Sequence, residues 1–174
     1  MRASLALAFL LAAGALVAAA PAAQAKLRFT RADGSVIAFS AKPRVWCGPW
    51  EPDVKKRSVH VAVRGRKRHW DLSAVRSDVG PGTKVKFPTD FVFNKPKGAQ
   101  FFVADAPNEA STNEEEASGS MTFTHVTCRH RGVVAFTIDA VLGSEFSDLG
   151  TVHVTGSFRG HVASAPKRLV SARG

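Results

Sequence analysis

Residues 133–142 read Val-Val-Ala-Phe-Thr-Ile-Asp-Ala-Val-Leu. In an extended chain Val134, Phe136, Ile138, Ala140 and Leu142 share one face, while Thr137 and Asp139 stand on the other. That period of two predicts a β-strand with one buried face and one wet face. The pattern returns nearby. Thr151–Phe158 places Val152, Val154 and Phe158 inward, and Ser120–Cys128 supplies a run of β-formers before a turn at Arg129–Gly132.

Working toward the N-terminus, strand-like runs alternate with turn residues at short intervals. Gln100–Ala104 carries adjacent Phe101 and Phe102, of which alternation buries one and half-exposes the other. Thr83–Phe87 is a short strand entered through Gly80-Pro81-Gly82. Val59, Val61 and Val63 alternate with Ser58, His60, Ala62 and Arg64, and His69-Trp70-Asp71-Leu72 begins a return strand after Gly65. Leu27–Thr30 and Val36–Phe39 flank Asp33-Gly34, a hairpin signal. Nothing has a convincing helical period; Asp71–Asp78 comes nearest. Eight or nine short strands predict an all-β domain. An antiparallel β-sandwich is favoured over a closed antiparallel β-barrel because the segments are uneven in length. Asp105–Ser118 has few apolar residues and reads as a mobile surface loop. The domain is expected over 26–165, with a flexible basic tail at 166–174.

Gly-Ser-Met-Thr-Phe at 119–123 and Val-Thr-Gly-Ser-Phe at 154–158 resemble the closing strands of exported bacterial β-sandwich proteins without a known activity. The resemblance spans residues 119–158 and implies an envelope or extracellular sandwich. It also implies a last-strand glycine that lets neighbouring backbone or an aromatic ring approach closely. It carries over no functional residue.

The first 25 residues have the order of a secretory signal peptide: Arg2, a mostly apolar stretch from Leu5 to Ala20, then the small-x-small site Ala23-Gln24-Ala25. The alternative, a retained membrane anchor, needs about 20 strongly apolar residues, and this run is shorter and Ala-rich. No Cys follows the site, which disfavours a lipid anchor. The expected product is a soluble secreted or periplasmic protein. Loss of Arg2 takes its net charge from +10 to +9. That charge is unevenly placed. Residues 42–76 carry ten Lys/Arg against three acids, whereas 106–127 carry four Glu and no Lys or Arg. The excess points to an anionic polymer or envelope component as partner, without specific recognition of nucleic acid.

Cys47 and Cys128 are the two cysteines, and an even count in an exported chain predicts a disulfide between them. Trp46-Cys47-Gly48-Pro49 resembles the thioredoxin active-site sequence, in which a second Cys resolves the mixed disulfide. Trp50 stands where that second Cys is needed, and Pro52 interrupts the helix. A reactive single thiol is the alternative to a structural bridge.

The polyanion-binding candidates are Arg64, Arg66, Lys67, Arg68 and Trp70 on the basic hairpin, with Lys55, Lys56 and Arg57 placed beside it across the sheet. Four cations around a tight turn suit phosphate or sulfate, and Trp70 would stack on a base or sugar. The competing reading is a solvated turn whose charges guard a sheet edge. The six histidines lack zinc-ligand spacing; His60 and His153 fall on outward faces, and His125 and His130 flank Cys128. Asp105, Asn108, Glu109 and Glu114–Glu116 lack a calcium-loop frame. No metal or cofactor is expected. Gly-x-Ser-x-Gly and phosphate-cradling glycine motifs are absent, and Asp139 and Asp148 do not make a recognisable acid pair. The leading expectation is therefore a non-enzymatic exported sandwich that binds anionic polymers through a basic face. The alternatives are a secreted enzyme or thiol-redox protein using Cys47 or an acid pair, and a structural envelope component that binds another protein.

Overall fold

The alternating stretch 133–142 is strand β9 (Val133–Leu142), centre of a five-stranded antiparallel sheet. The computed structural model describes residues 23–49, 56–89, 95–144 and 150–163. Ten strands appear there: β1 (Gln24–Arg31), β2 (Arg44–Pro49), β3 (Arg57–Arg64), β4 (Arg68–Val75), β5 (Lys84–Lys86), β6 (Ala99–Asp105), β7 (Asn108–Ser111), β8 (Ser118–Val126), β9 and β10 (Val152–His161). They form a first sheet of order β1-β10-β9-β8-β5 and a second of order β2-β3-β4-β6-β7. The fold is an antiparallel β-sandwich, not a closed barrel.

The inward faces meet as the alternation requires. Val134, Phe136, Ile138, Ala140 and Leu142 are all buried, as are Val59, Val61 and Val63 opposite. Phe101 is buried and Phe102 only partly so. Rings link the layers: Phe123 leads to Phe136, Phe136 stacks on Phe158, and Phe158 meets Trp70 edge-on at 6.1 Å. Trp70 in turn stacks on Phe101 at 5.4 Å and lies against Phe29.

Several expectations are corrected. The acidic segment 105–118 is not a free loop. Asn108–Ser111 pairs with β6 as an edge strand, and Ala110, Ser111, Thr112 and Ala117 are buried. Ser111 also exchanges both backbone hydrogen bonds with Gly143, tying this edge to the first sheet. Small residues made this possible: Ala110, Ser111 and Thr112 fit under the edge where longer polar chains would not. The Asp33-Gly34 turn forms, but its second arm contributes only a Thr30–Val36 bridge and the Ile37 N–H bond to Phe29. Ile37 is buried and Phe39 packs edge-on against Phe29 at 4.8 Å, so the chain folds over the sandwich end instead of extending a ladder. β3 is buried on both faces, which removes the outward exposure expected for His60. The bulk of the leader (1–22) and the expected tail lie outside the described residues; Gln24 and Ala25 pair with Arg159 and Phe158 at the start of β1.

Cys47 on β2 is bridged to Cys128 in the β8–β9 connection, so the disulfide joins the two sheets. A parallel Val45–Val162 bridge and an Ala163 N–H bond to the Val45 carbonyl fasten the same edge. Two last-strand glycines permit close packing. Gly156 has φ +127°, and a Cβ there would lie 1.9 Å from the Lys26 carbonyl oxygen. A Cβ at Gly160 would lie 2.7 Å from the Phe158 ring and 2.8 Å from Val45.

The bridge spans 81 positions, and loop-closure entropy at that length amounts to about 4.5 kcal/mol. Urea unfolding of the Cys47→Ser/Cys128→Ser protein should show a loss near that size; a change below about 1 kcal/mol would show that the denatured chain is already constrained. Gly156→Ala should cost about 2–3 kcal/mol, since the residue must adopt a strained φ against fixed backbone. An unchanged melting temperature would contradict that account.

Candidate anion-binding surface

The turn between β3 and β4 is closed by the Gly65 N–H bonding the Arg68 carbonyl at 2.9 Å. It is held laterally by the Ala106 N–H, which bonds the Lys67 carbonyl at 2.9 Å. This anchors the backbone of the tip against the β6–β7 turn.

Those cations are not equivalent. The Arg68 Nε donates to Asp105 Oδ1 at 2.9 Å, and the same carboxylate accepts from the Arg31 guanidinium. Asp105 is only 14% exposed, so one partly buried acid holds two arginines in place. Arg64 reaches Asp71 at 3.5 Å. Burial pushes the Asp71 carboxyl above the usual carboxylate range, and Arg64 and then His69 only partly offset it. Arg66 and Lys67, by contrast, are exposed and have no ion pair or side-chain hydrogen bond among the described residues.

Two shallow clefts lie at this end of the sandwich. One, of about 450 Å³, is bordered by Arg66, Lys67 and Arg68, with Phe39, Ala41 and Val63 on its apolar side. The other, of about 470 Å³, shares Phe39, Ala41 and Val63 and adds Arg28, Lys42 and Trp70. The segment 38–41 borders both. Arg28 and Lys42 were not singled out by sequence, because their approach to the hairpin depends on how the chain after β1 folds back. Ala23 and Ala25 also border the second cleft, so cleavage after Ala25 would remove part of its wall.

Other nominated residues are placed differently. Trp70 is 2% exposed and occupies the core, so it offers no open ring face to a ligand. It faces inward because it alternates with Leu72 and Ala74, both buried. Arg57 starts β3 whereas Arg64 ends it, a separation of about 23 Å at 3.3 Å per residue. Lys56 and Arg57 therefore sit at the far end, not beside the turn. Lys56 donates to the Pro96 carbonyl at 2.7 Å. It also lies near Asp78, where burial favours the neutral acid but the Gly98 N–H, the Ser77 hydroxyl and Lys56 outweigh it, lowering the pKa. Lys55, Trp50, Pro52 and Asp148 lie outside the described residues.

Among the described residues no thiol is free, so the Trp46–Pro49 motif holds no reactive cysteine. Nor do any three His, Cys, Asp or Glu side chains among them form a metal-binding group. His153 is exposed and pairs with Asp139 at 2.8 Å on the outer face of the first sheet. His125 and His130 are exposed.

His60 is buried beneath Trp46, whose ring stacks on it at 5.1 Å. Its Nε2 lies 3.3 Å from the Pro49 carbonyl, which can only accept, so that nitrogen carries the proton. Nδ1 then accepts from the Ser73 hydroxyl at 3.0 Å. Burial lowers the His60 pKa, opposed in part by the Pro49 carbonyl. The folded state therefore binds this proton less readily than the unfolded chain, where histidine titrates near about 6.5. The stability contribution is complete above that pH and is lost as pH falls from it through the lower folded-state pKa. His60→Gln should flatten the fall in stability below about pH 6.5; an unaltered slope would assign it to other groups.

Comparison with protein-family models, curated proteins and solved structures gives no match, so the surface is interpreted from its own chemistry.

Proposed function

We propose that this protein is an exported, non-enzymatic β-sandwich that binds anionic polymers of the cell envelope or extracellular space through the basic end of the sandwich. The observation that carries this reading is the division of labour at the β3–β4 turn. Arg64 and Arg68 are engaged by Asp71 and Asp105, while Arg66 and Lys67 are exposed and have no partner among the described residues. A lysine or arginine already paired to a carboxylate gains little from a second anion. An unpaired one exchanges counterions for the polymer's charges, and the released ions favour binding. Lys42 and Arg28 extend the positive field along the neighbouring cleft. The inter-sheet disulfide fits an oxidising compartment, where such polymers are exposed.

Trp70 is consumed by the core, so the ring next to these cations in sequence offers them no stacking face. Binding should therefore follow charge density and not base or sugar sequence. Retention on immobilised inorganic polyphosphate tests it. Arg66→Ala/Lys67→Ala should reduce the slope of log affinity against log salt by about 1.5 to 2, while Arg57→Ala, at the other end of β3, should leave it unchanged. Equal behaviour of the two variants would refute the assignment to this end.

A further inference from the structure

The outer face of the first sheet carries an arrangement that no single strand reveals. Following the register across all five strands gives one row of Lys26, Ser157, Thr137, Thr122 and Lys84. The adjacent row is Arg28, Thr155, Asp139, Ser120 and Lys86. Each row begins and ends on a cation and has short hydroxyl or carboxylate side chains between. Both rows lie before the β8 irregularity at Phe123–His125, where pairing is regular. The four terminal cations are exposed, as are Thr137 and Asp139, and the remaining hydroxyl residues are half-buried.

We propose that this face is a second binding surface, for a linear acidic polysaccharide lying across the strands, separate from the hairpin tip though sharing Arg28 with the cleft beside it. Four inter-strand steps of about 4.8 Å separate the cationic edges by about 19 Å. Hydroxyls recur at each step, a spacing comparable to one sugar residue of an extended glycan, so successive sugars meet successive Ser or Thr groups. No position between the terminal cations of either row is aromatic or long, and the His153 ring reaches in from beside them to Asp139. The floor between the cations is thus formed of short side chains, open to a ribbon-like chain.

The charge pattern selects the kind of polymer. A chain charged at every unit would need cations along the whole row, yet the middle of one row holds Asp139. Asp139 is 82% exposed and oriented by His153 at 2.8 Å, so it accepts hydrogen bonds from neutral sugar hydroxyls and repels a densely charged chain. The complementary ligand carries carboxylates separated by neutral, hydroxyl-bearing sugars. The acid groups pair at the edges with Lys26, Arg28, Lys84 and Lys86, and the neutral units bond the hydroxyl rows between them.

Binding of deacylated gellan oligosaccharides, in which one sugar of every four carries a carboxylate, provides the test, with inorganic polyphosphate as the dense-charge comparison. Lys84→Glu/Lys86→Glu should weaken gellan binding about tenfold. Thr122→Val/Thr137→Val, which keeps shape and strand preference but removes the hydroxyls, should weaken it about fivefold. Polyphosphate retention should be unchanged in the threonine variant and should follow Arg66 and Lys67 instead. Circular dichroism and thermal melting establish that each variant is folded. The proposal fails if the folded wild-type protein does not bind the gellan oligosaccharides, or if the threonine variant binds them as the wild type does. It also fails if binding is lost on Arg66→Ala/Lys67→Ala and retained in Lys84→Glu/Lys86→Glu.

Discussion

The sandwich is organised by the contact of the Trp70 ring with Phe158 and Phe29 across the two sheets. Each such aromatic pair contributes about 0.5–1.5 kcal/mol beyond its area burial, and here they also set geometry. Once Trp70 points inward on β4, alternation sends His69 and Asp71 outward. Pairing of β4 with β6 then places Arg68 opposite Asp105. The exposed tip, the engaged arginines and the two clefts follow from that orientation. Turning Trp70 outward toward a ligand would require a one-residue register slip and would expose Leu72 and Ala74 as well. The ring cannot serve both the core and a ligand.

Two further constraints complete the assembly. The Cys47–Cys128 bridge secures β2, an edge strand whose other fastening to the first sheet is the short Val45–Val162 bridge. Asp105 is the electrostatic counterpart at the hairpin end. By holding both Arg31 and Arg68 it joins the end of β1 to the start of β4. Its carboxylate, 14% exposed, thus receives two charge-assisted hydrogen bonds. Asp71, with only a long contact to Arg64, is pushed toward the neutral acid by burial.

How much of this was legible in the sequence depended on whether the information was local. The period of two in 133–142 gave β9 its residues, and alternation assigned Phe101 and Phe102 their different exposures. The disulfide followed from cysteine count and an expected compartment. Trp70 is next to four cations in sequence, but its alternation with Leu72 and Ala74 sends it into the core. Arg57 is close to Arg64 in sequence, yet an extended strand turns seven residues into opposite ends of the sheet. β7 was missed because Asn108–Ser111 is polar by composition, and its burial arises from pairing with β6 and from Gly143. The outer-face rows were beyond reach for the same reason. They join β1 to β10 and β5 to β8, strands brought together only by topology.

Net positive charge alone would treat the two surfaces of this protein as one property, but the groups between the cations make them different. At the hairpin, Arg66 and Lys67 are adjacent, with the nearby acids already occupied, so charge density is what a ligand meets. On the first sheet the cations are held apart by the full width of five strands, with hydroxyls and Asp139 between. Closely spaced charge rewards closely spaced anions through counterion release. Separated charge rewards a ligand of matching period, because any anion in the middle loses hydration without gaining a partner. The β-sheet register converts five short, separately unremarkable sequences into that spacing.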